Sequence, residues 1–314
     1  MKFPNKGLID LGSNSIRFVI YKMTKKGKYK ELLNVKRTAR LSMHVDENKN
    51  ITAEGIEKIL HSLHYFKQLA ELHEVEEVEC VATAVIREAN NQKYVLKKIN
   101  KEFKMHVDVL TGFEEAYYGF LGAVHSTKVK NGVTIDIGGG STEVTLFKKN
   151  KLIHAHSFPF GAVTLSKKFV AGKTPTEIEL TGLSAFLSKQ FSSLSWLVEV
   201  KLPVIGIGGT ARNLYKVFQK NEISPSRTPI KRKMMPKDIR LTSEFLQAFS
   251  FEKRKEISGL SEERADIIIP GIEAIEQLMQ VVKAPSFELS KYGLREGFCF
   301  SELYEDSLQA KINS

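Results

Sequence analysis

Cysteine is scarce in this sequence, and long apolar runs are missing. The 314 residues include two cysteines, Cys80 and Cys299, far apart and without a CxxC pair, which excludes a disulfide framework. Cys80 falls within an apolar run, Val78–Ala82, that reads as a buried strand, so both thiols are expected to be reduced and structural. Met1–Asp10 interleaves Lys2, Pro4, Asn5 and Lys6 with its apolar residues and so lacks the apolar core of a secretory signal. The longest apolar stretches, such as Ile267–Ile269 before Pro270, fall far short of the roughly 20 residues a spanning helix needs. These absences lead us to expect a soluble, cytoplasmic chain with no membrane partner. Also missing are the GxxxxGK[ST] phosphate loop and any Ser-His-Asp or Cys-His pattern with local support.

What is present is ample apolar content, 42%, enough for a core in each of two domains of ordinary size. The net charge is +11, with lysine-rich clusters at 25–30, 97–104, 148–151, 231–233 and 253–255. Such a balance fits either a polyanionic partner or a solvated basic surface, since charge speaks to association and solubility rather than fold. The clusters carry few interleaved aromatics on which bases would stack, Tyr29 and Phe103 apart, so nucleic acid is not expected as a partner.

The most informative feature is an internal echo. Gly7-Leu-Ile-Asp10-Leu-Gly-Ser-Asn-Ser15, followed by the apolar run Ile16–Tyr21, returns in kind as Gly132-Val-Thr-Ile-Asp136-Ile-Gly-Gly-Gly-Ser141, followed by Val144–Phe147. Each copy reads as a strand ending in Asp, a turn rich in Gly, Ser and Asn, and a second strand. A further strand is expected after each hairpin, at 29–34 and at 151–158. The apolar spacing of Ile56, Ile59, Leu60, Leu63, Phe66 and Leu69 predicts a helix over 53–72. Val75–Ala82 reads as a strand, 84–103 as helical, 106–110 as a short strand and 113–125 as a helix. Thr174-Pro-Thr-Glu177 predicts a capping box opening a helix to about Val198. Val204–Ile207 reads as a third glycine-bounded strand, and 222–237, with three prolines and a basic cluster, as a loop or lid. Strands alternating with helices in two related halves give an α/β fold with a cleft between the halves.

Turns of such small side chains let backbone amides close around a phosphate oxygen, and glycine would supply a positive φ for doing so. Gly138, Gly139, Gly140 and Ser141 form one such cradle; Gly12, Ser13, Asn14 and Ser15 form the other, with Arg17 two residues on as a bidentate phosphate partner. Asp10 and Asp136 end their strands beside the cradles and Glu143 follows just past the second turn. These hard oxygen donors suit Mg²⁺, which takes a few carboxylates and keeps waters and phosphate oxygens. His61, His64 and His73 share one stretch but lack a completing ligand set, and His154 and His156 alternate on a strand as polar residues of one face.

The combination resembles the exopolyphosphatase and guanosine pentaphosphate phosphatase family. It is carried by Asp10–Arg17, Ala82-Thr-Ala-Val-Ile-Arg87-Glu-Ala-Asn90, Thr111-Gly-Phe-Glu-Glu115-Ala, Asp136–Glu143, Gly206-Ile-Gly-Gly-Thr-Ala-Arg212, Glu263-Arg-Ala-Asp266 with Pro270-Gly271, and Gly293-Leu-Arg-Glu-Gly297. The resemblance implies two actin-like (ribonuclease H-like) domains flanking a central cleft, with 1–123 as domain I, 298–314 returning to it, and 124–297 as domain II. It implies Glu115 as the general base, with Glu114 as its rival, and Arg87, Arg264 and the third glycine turn, Gly208, Gly209 and Thr210, at phosphate. It makes a homodimer reasonable. The implied activity is Mg²⁺-dependent removal of terminal phosphate from polyphosphate, or from guanosine pentaphosphate. An actin-fold kinase or a non-catalytic polyphosphate or nucleotide sensor stand further off. Two departures are visible: the chain ends before the added C-terminal domain of longer members, and Ser42 follows Arg40-Leu41 where members tend to have glycine.

Overall fold

In the computed structural model, which describes residues 5–23, 29–223 and 233–301, the echo becomes two matching hairpins. Asn5–Leu11 (β1) pairs antiparallel with Ser15–Met23 (β2), which pairs with Tyr29–Thr38 (β3). The helix Ala53–Leu72 (α1) starts at Thr52, whose hydroxyl accepts from Gly55 N at 3.2 Å. The chain then runs through Val75–Ala82 (β4), Ala84–Arg87 (α2), Gln92–Phe103 (α3), Asp108–Val109 (β5) and Gly112–Ser126 (α4). The first sheet has the order β3-β2-β1-β4-β5, antiparallel on one side of β1 and parallel on the other. Its core joins Ile9, Phe18 and Ile20 to Ile59, Phe66, Val95 and Ile99. Burial of a ring such as Phe66, fully enclosed, contributes about 2–3 kcal/mol.

The second hairpin is Asn131–Ile137 (β6) with Thr142–Lys148 (β7), followed by Lys151–Phe158 (β8), Ala162–Phe169 (α5) and Glu177–Ser192 (α6). Val204–Ile207 (β9), Gly208–Lys220 (α7), Lys233–Met234 (β10), Pro236–Gln247 (α8), Phe251–Lys255 (α9), Ile268–Val282 (α10) and Phe287–Leu289 (β11) complete it, and 294–301 is helical. The second sheet runs β10-β11-β9-β6-β7-β8. Strand alternation sends Val204 into the core with Ile135, Val144, Leu183, Leu214 and Ile272, and Ile205 and Ile207 to the other face with Phe120 of α4. The chain thus forms two compact α/β units, Met1–Glu115 with Cys299–Ser314, and Ala116–Phe298.

The echo extends to packing. A side chain at Gly7 would meet the Phe18 ring at 2.7 Å, and one at Gly132 would meet Phe147 at 3.0 Å, so each glycine makes room for an aromatic of the next strand.

Several expectations need correction. The helix expected over 84–103 is two helices, broken at Asn90-Asn91. The capping box is set two residues later, on Thr176 and Glu179, because Glu179 accepts from Thr176 N (2.7 Å) and also from Ala171 N (2.8 Å). That helix ends at Ser192 rather than near 198. The loop or lid over 222–237 lies largely outside the described residues, as do residues 302–314 of the expected return; Pro236 opens α8.

Candidate active site

In the first unit the carboxyl ends of parallel strands gather the expected groups. Gly12 N donates to Ser15 O (3.2 Å), closing the turn after Asp10, and the segment after β3 braces it from outside. Arg40 N donates to Asn14 O (2.9 Å), and Ser42 donates to Ser13 O from its backbone N (3.0 Å) and its hydroxyl (3.2 Å). Ser42, the departure from glycine, therefore adds a hydrogen bond to the loop, while Arg40 takes the left-handed conformation at φ 47°. Asn14 is 6% exposed, and among the described residues neither its Nδ2 nor its Oδ1 has a hydrogen-bond partner. Burial of an amide without partners is costly, so this side chain fits a polar ligand such as a phosphate oxygen. Arg17 is the cross-strand neighbour of Asp10, and its Nη1 donates to Asn34 Oδ1 at 2.7 Å.

One strand over, β4 ends beside β1, with Thr83 N donating to Leu11 O (3.3 Å), and α2 carries Arg87 away from that point. Arg87 Nη1 donates to Glu115 Oε2 (2.9 Å) and to Leu110 O (2.9 Å), and its Nε to Glu88 Oε1 (3.1 Å). The Arg87 and Glu115 side chains are 17% and 13% exposed. The two rival carboxylates are thus separated by their surroundings. Glu114 accepts from both the backbone N and the hydroxyl of Thr111 (2.8 Å each), while Glu114 N donates to Thr111 Oγ1 (3.2 Å). This is a capping box at the start of α4, legible in Thr111-Gly-Phe-Glu114 but missed in the sequence reading. Glu115 points instead to the guanidinium.

The second unit repeats the turn: Gly138 N donates to Ser141 O at 3.0 Å, matching Gly12 and Ser15. Neither Gly12 nor Gly138 has a positive φ, contrary to expectation; among the described glycines it occurs at Gly208 and Gly259. What the turn glycines need is space, since a side chain at Gly12 would lie 2.9 Å from Ser15 O and one at Gly138 3.3 Å from Ser141 O. Gly161, absent from the sequence reading, supports this loop from behind. Its missing Cβ leaves Gly138 O and Gly139 O room to accept from Ala162 N (2.9 Å) and Val163 N (3.1 Å) at the start of α5.

Asp136, Glu143 and Ser157 are register partners across β6, β7 and β8, and Ser157 Oγ donates to Glu143 Oε1 at 2.7 Å. Glu143 is 4% exposed. The third glycine turn reaches the same strand end. Gly208, at φ 78°, leaves no space for a side chain against Asp136 Oδ1, and Gly209 leaves none against the Arg264 guanidinium. Thr210 Oγ1 donates to Ile137 O (3.2 Å) and accepts from Arg264 Nη1 (3.4 Å). The second unit therefore brings Asp136, Glu143, the Gly138–Ser141 turn, Gly208, Gly209, Thr210 and Arg264 together. Among the described residues no three His, Cys, Asp or Glu side chains are grouped as ligands of a metal. Two adjacent carboxylates of hard oxygen still fit Mg²⁺, which completes its shell with water and phosphate.

The histidines serve other ends. His64 pairs with Glu102, His154 stacks on Trp196 (5.2 Å) and His156 meets Phe158 edge-on (4.5 Å), so the β8 pair packs on aromatic rings. A cavity of about 490 Å³ lies elsewhere in the second unit, lined by Lys237, Arg240, Glu276, Met279 and Lys283, with none of the expected site residues. Among the described residues no helix is long and apolar enough to cross a membrane.

Several known proteins are similar to this chain in sequence or fold. A bifunctional 3-dehydroquinate synthase/phosphatase of Fusobacterium nucleatum subsp. nucleatum is 28% identical over 294 residues, covering 88% of this chain. This chain spans 44% of that protein's length. Exopolyphosphatase 1 of Mycobacterium tuberculosis is 26% identical over 302 residues, covering 95% of this chain and 88% of that protein. A guanosine-5'-triphosphate,3'-diphosphate pyrophosphatase of Aliivibrio fischeri is 26% identical over 313 residues, covering 96% and 60%. The crystal structure of the Aquifex aeolicus member of the Ppx/GppA family matches with TM-score 0.79 and 28% identity, covering 97% of this chain and 99% of that one. An exopolyphosphatase from Cytophaga hutchinsonii shares the fold at TM-score 0.84 and 24% identity, over 96% and 98%. The fold is the actin-like α/β class. Residues 19–306 match the model of one family, and the chain belongs to the Ppx/GppA phosphatase family.

Proposed function

We propose that this chain is a Mg²⁺-dependent exopolyphosphatase that removes the terminal phosphate of inorganic polyphosphate. The observation that carries the reading is the repeated turn, Gly12 to Ser15 and Gly138 to Ser141, closed by the same backbone hydrogen bond and each following a strand whose penultimate residue is Asp. Phosphoryl transfer asks little covalent chemistry of a protein: a water in line and neutralised phosphate oxygens. In this reading Glu115, oriented by Arg87, accepts the proton of the attacking water. The turn amides, Asn14, Thr210 and Arg264 hold phosphoryl oxygens. Asp136 and Glu143 would hold Mg²⁺, with Asp10 at the corresponding strand end of the first unit. The ion would neutralise charge on the phosphate oxygens. A net charge of +11 suits a polyanionic substrate.

Hydrolysis of guanosine pentaphosphate is the second reading, favoured by the Aliivibrio fischeri relative, whose identity to this chain equals that of the mycobacterial exopolyphosphatase. One panel separates them: phosphate release from polyphosphates of several lengths and from guanosine pentaphosphate at equal concentration, with and without Mg²⁺. Faster Mg²⁺-dependent release from polyphosphate is expected. Preference for the pentaphosphate selects the second reading, and ATP-dependent phosphorylation of a small acceptor without phosphate release would overturn both.

A further inference from the structure

We infer that Ser157 is a positioning residue of the phosphatase centre, holding the Glu143 carboxylate in the orientation that a divalent cation needs. The inference rests on the proposed role of Glu143, and begins from strand register. Asp136 on β6 faces Glu143 on β7, and Glu143 faces Ser157 on β8, so three polar side chains form one row across adjacent strands. Two residues away, Thr134 faces Thr145 with their hydroxyl oxygens 2.6 Å apart, both buried. A polar ladder thus runs through a sheet whose other residues are largely apolar.

Asp136 and Ser157 are half-buried and Glu143 is buried, and burying a carboxylate is expensive unless it is hydrogen-bonded, so its presence needs a reason. The Thr134–Thr145 pair satisfies itself. Glu143 is different: it is a carboxylate with 4% exposure, and Ser157 donates to its Oε1 at 2.7 Å. A glutamate has three side-chain torsions, and a donor fixed on a neighbouring strand removes that freedom at one oxygen. Serine suits the position because it donates while adding no charge that would compete with a cation. The residue then acts on the ion through Glu143, as partners of ligating carboxylates do, and loss of such partners typically weakens metal affinity or activity about 10–100-fold.

The test uses the full chain with Ser157→Ala and Ser157→Thr, the latter keeping a hydroxyl on a β-branched residue that strands accept. Mn²⁺ serves as a spectroscopic probe: its affinity is measured by electron paramagnetic resonance titration without substrate, alongside the Mg²⁺ dependence of phosphate release. Far-UV circular dichroism and thermal midpoint report folding. The expected result is Mn²⁺ binding about 10-fold or more weaker in S157A, a matching rise in the Mg²⁺ required for half-maximal rate, and recovery of both in S157T. Unchanged Mn²⁺ affinity in folded S157A, equal loss in S157T, or no Mn²⁺ binding by the unsubstituted chain would overturn the inference. A chain that binds Mn²⁺ in this Ser157-dependent way but releases no phosphate from either substrate would support the inference and sink the proposed reaction instead.

Discussion

Arg87 Nη1 and Glu115 Oε2 stand 2.9 Å apart in a pair that is mostly buried, while the adjacent Glu114 is tied to Thr111 at the head of its own helix. Adjacent carboxylates therefore have separable tasks. Glu115→Gln keeps the shape and removes the proposed proton acceptor, so turnover should fall by about 10²–10⁴-fold with substrate binding retained. Glu114→Gln keeps a cap that is weaker by loss of charge, so it should cost stability, about 1 kcal/mol or less, and leave turnover near the unsubstituted value. Steady-state kinetics with urea unfolding on both variants checks the division. Equal loss of turnover in the two would refute it.

Gly208 is required twice over, by its φ of 78° and by the nearness of Asp136 Oδ1 to where a side chain would stand. Gly208→Ala would add about 1–2 kcal/mol of left-handed backbone strain and push the aspartate from its place. Phosphate release should drop more steeply than stability, because Asp136 moves whether or not the chain remains folded. Thermal midpoints beside Mg²⁺-dependent rates would show this, and a variant with normal rates would remove Asp136 from the centre.

Much of this arrangement was readable in the residues, and what was not has a common cause. The hairpins announced themselves because Asp, Gly and Ser recur at matching places, and α1 because its apolar residues keep the helical period for 20 residues. The break between α2 and α3 was hidden because its cause is distant. Asn91 donates to Ile51 O (2.8 Å) and accepts from Ile51 N (2.9 Å), while Asn90 Nδ2 donates to Asn48 O (2.7 Å). Local periodicity holds no record of a partner 40 residues away. Likewise the Ser157 to Glu143 bond depends on the exact pairing of β7 and β8, and Gly161 on backbone carbonyls two strands earlier. Glu114 is a different case: its Thr-x-x-Glu pattern is local and legible in the sequence, and its carboxylate caps the helix through Thr111.

Arg254 has no exposed surface, an extreme position for a guanidinium. Three backbone carbonyls hold it: Nε donates to Ala265 O (3.0 Å), Nη1 to Phe249 O (2.9 Å) and Nη2 to Lys173 O. These three acceptors belong to three separate segments, so the side chain pins α9 between the loop before α6 and the segment leading into α10. Arg254→Met would keep much of the volume and orphan the carbonyls, each loss costing about 1–3 kcal/mol where water cannot enter. A stability loss of about 3 kcal/mol or more is expected by urea unfolding. A loss below 1 kcal/mol would mean that water replaces the guanidinium.

Glu276 offers a pH test at a cavity lined by none of the proposed site residues. Burial, and then the charge of Glu273, push its carboxyl from the ordinary 4.5 up to about 7; Arg240 opposes the shift and Glu244 adds to it. An acid whose folded value is raised binds its proton more tightly when folded. Its stabilising contribution is therefore complete below about 4.5 and is lost as the pH rises through about 7. The side chain lies at a water-accessible cavity with Lys237 and Lys283, so solvent screens part of the effect and its size is smaller than the shift alone would give. Glu276→Gln removes the charge that forms at high pH and keeps the shape. Its thermal midpoint should exceed that of the unsubstituted chain at pH 8, and the gain should shrink or vanish at pH 5. A gain of equal size at both pH values would show that the glutamine acts through packing, not through the missing charge.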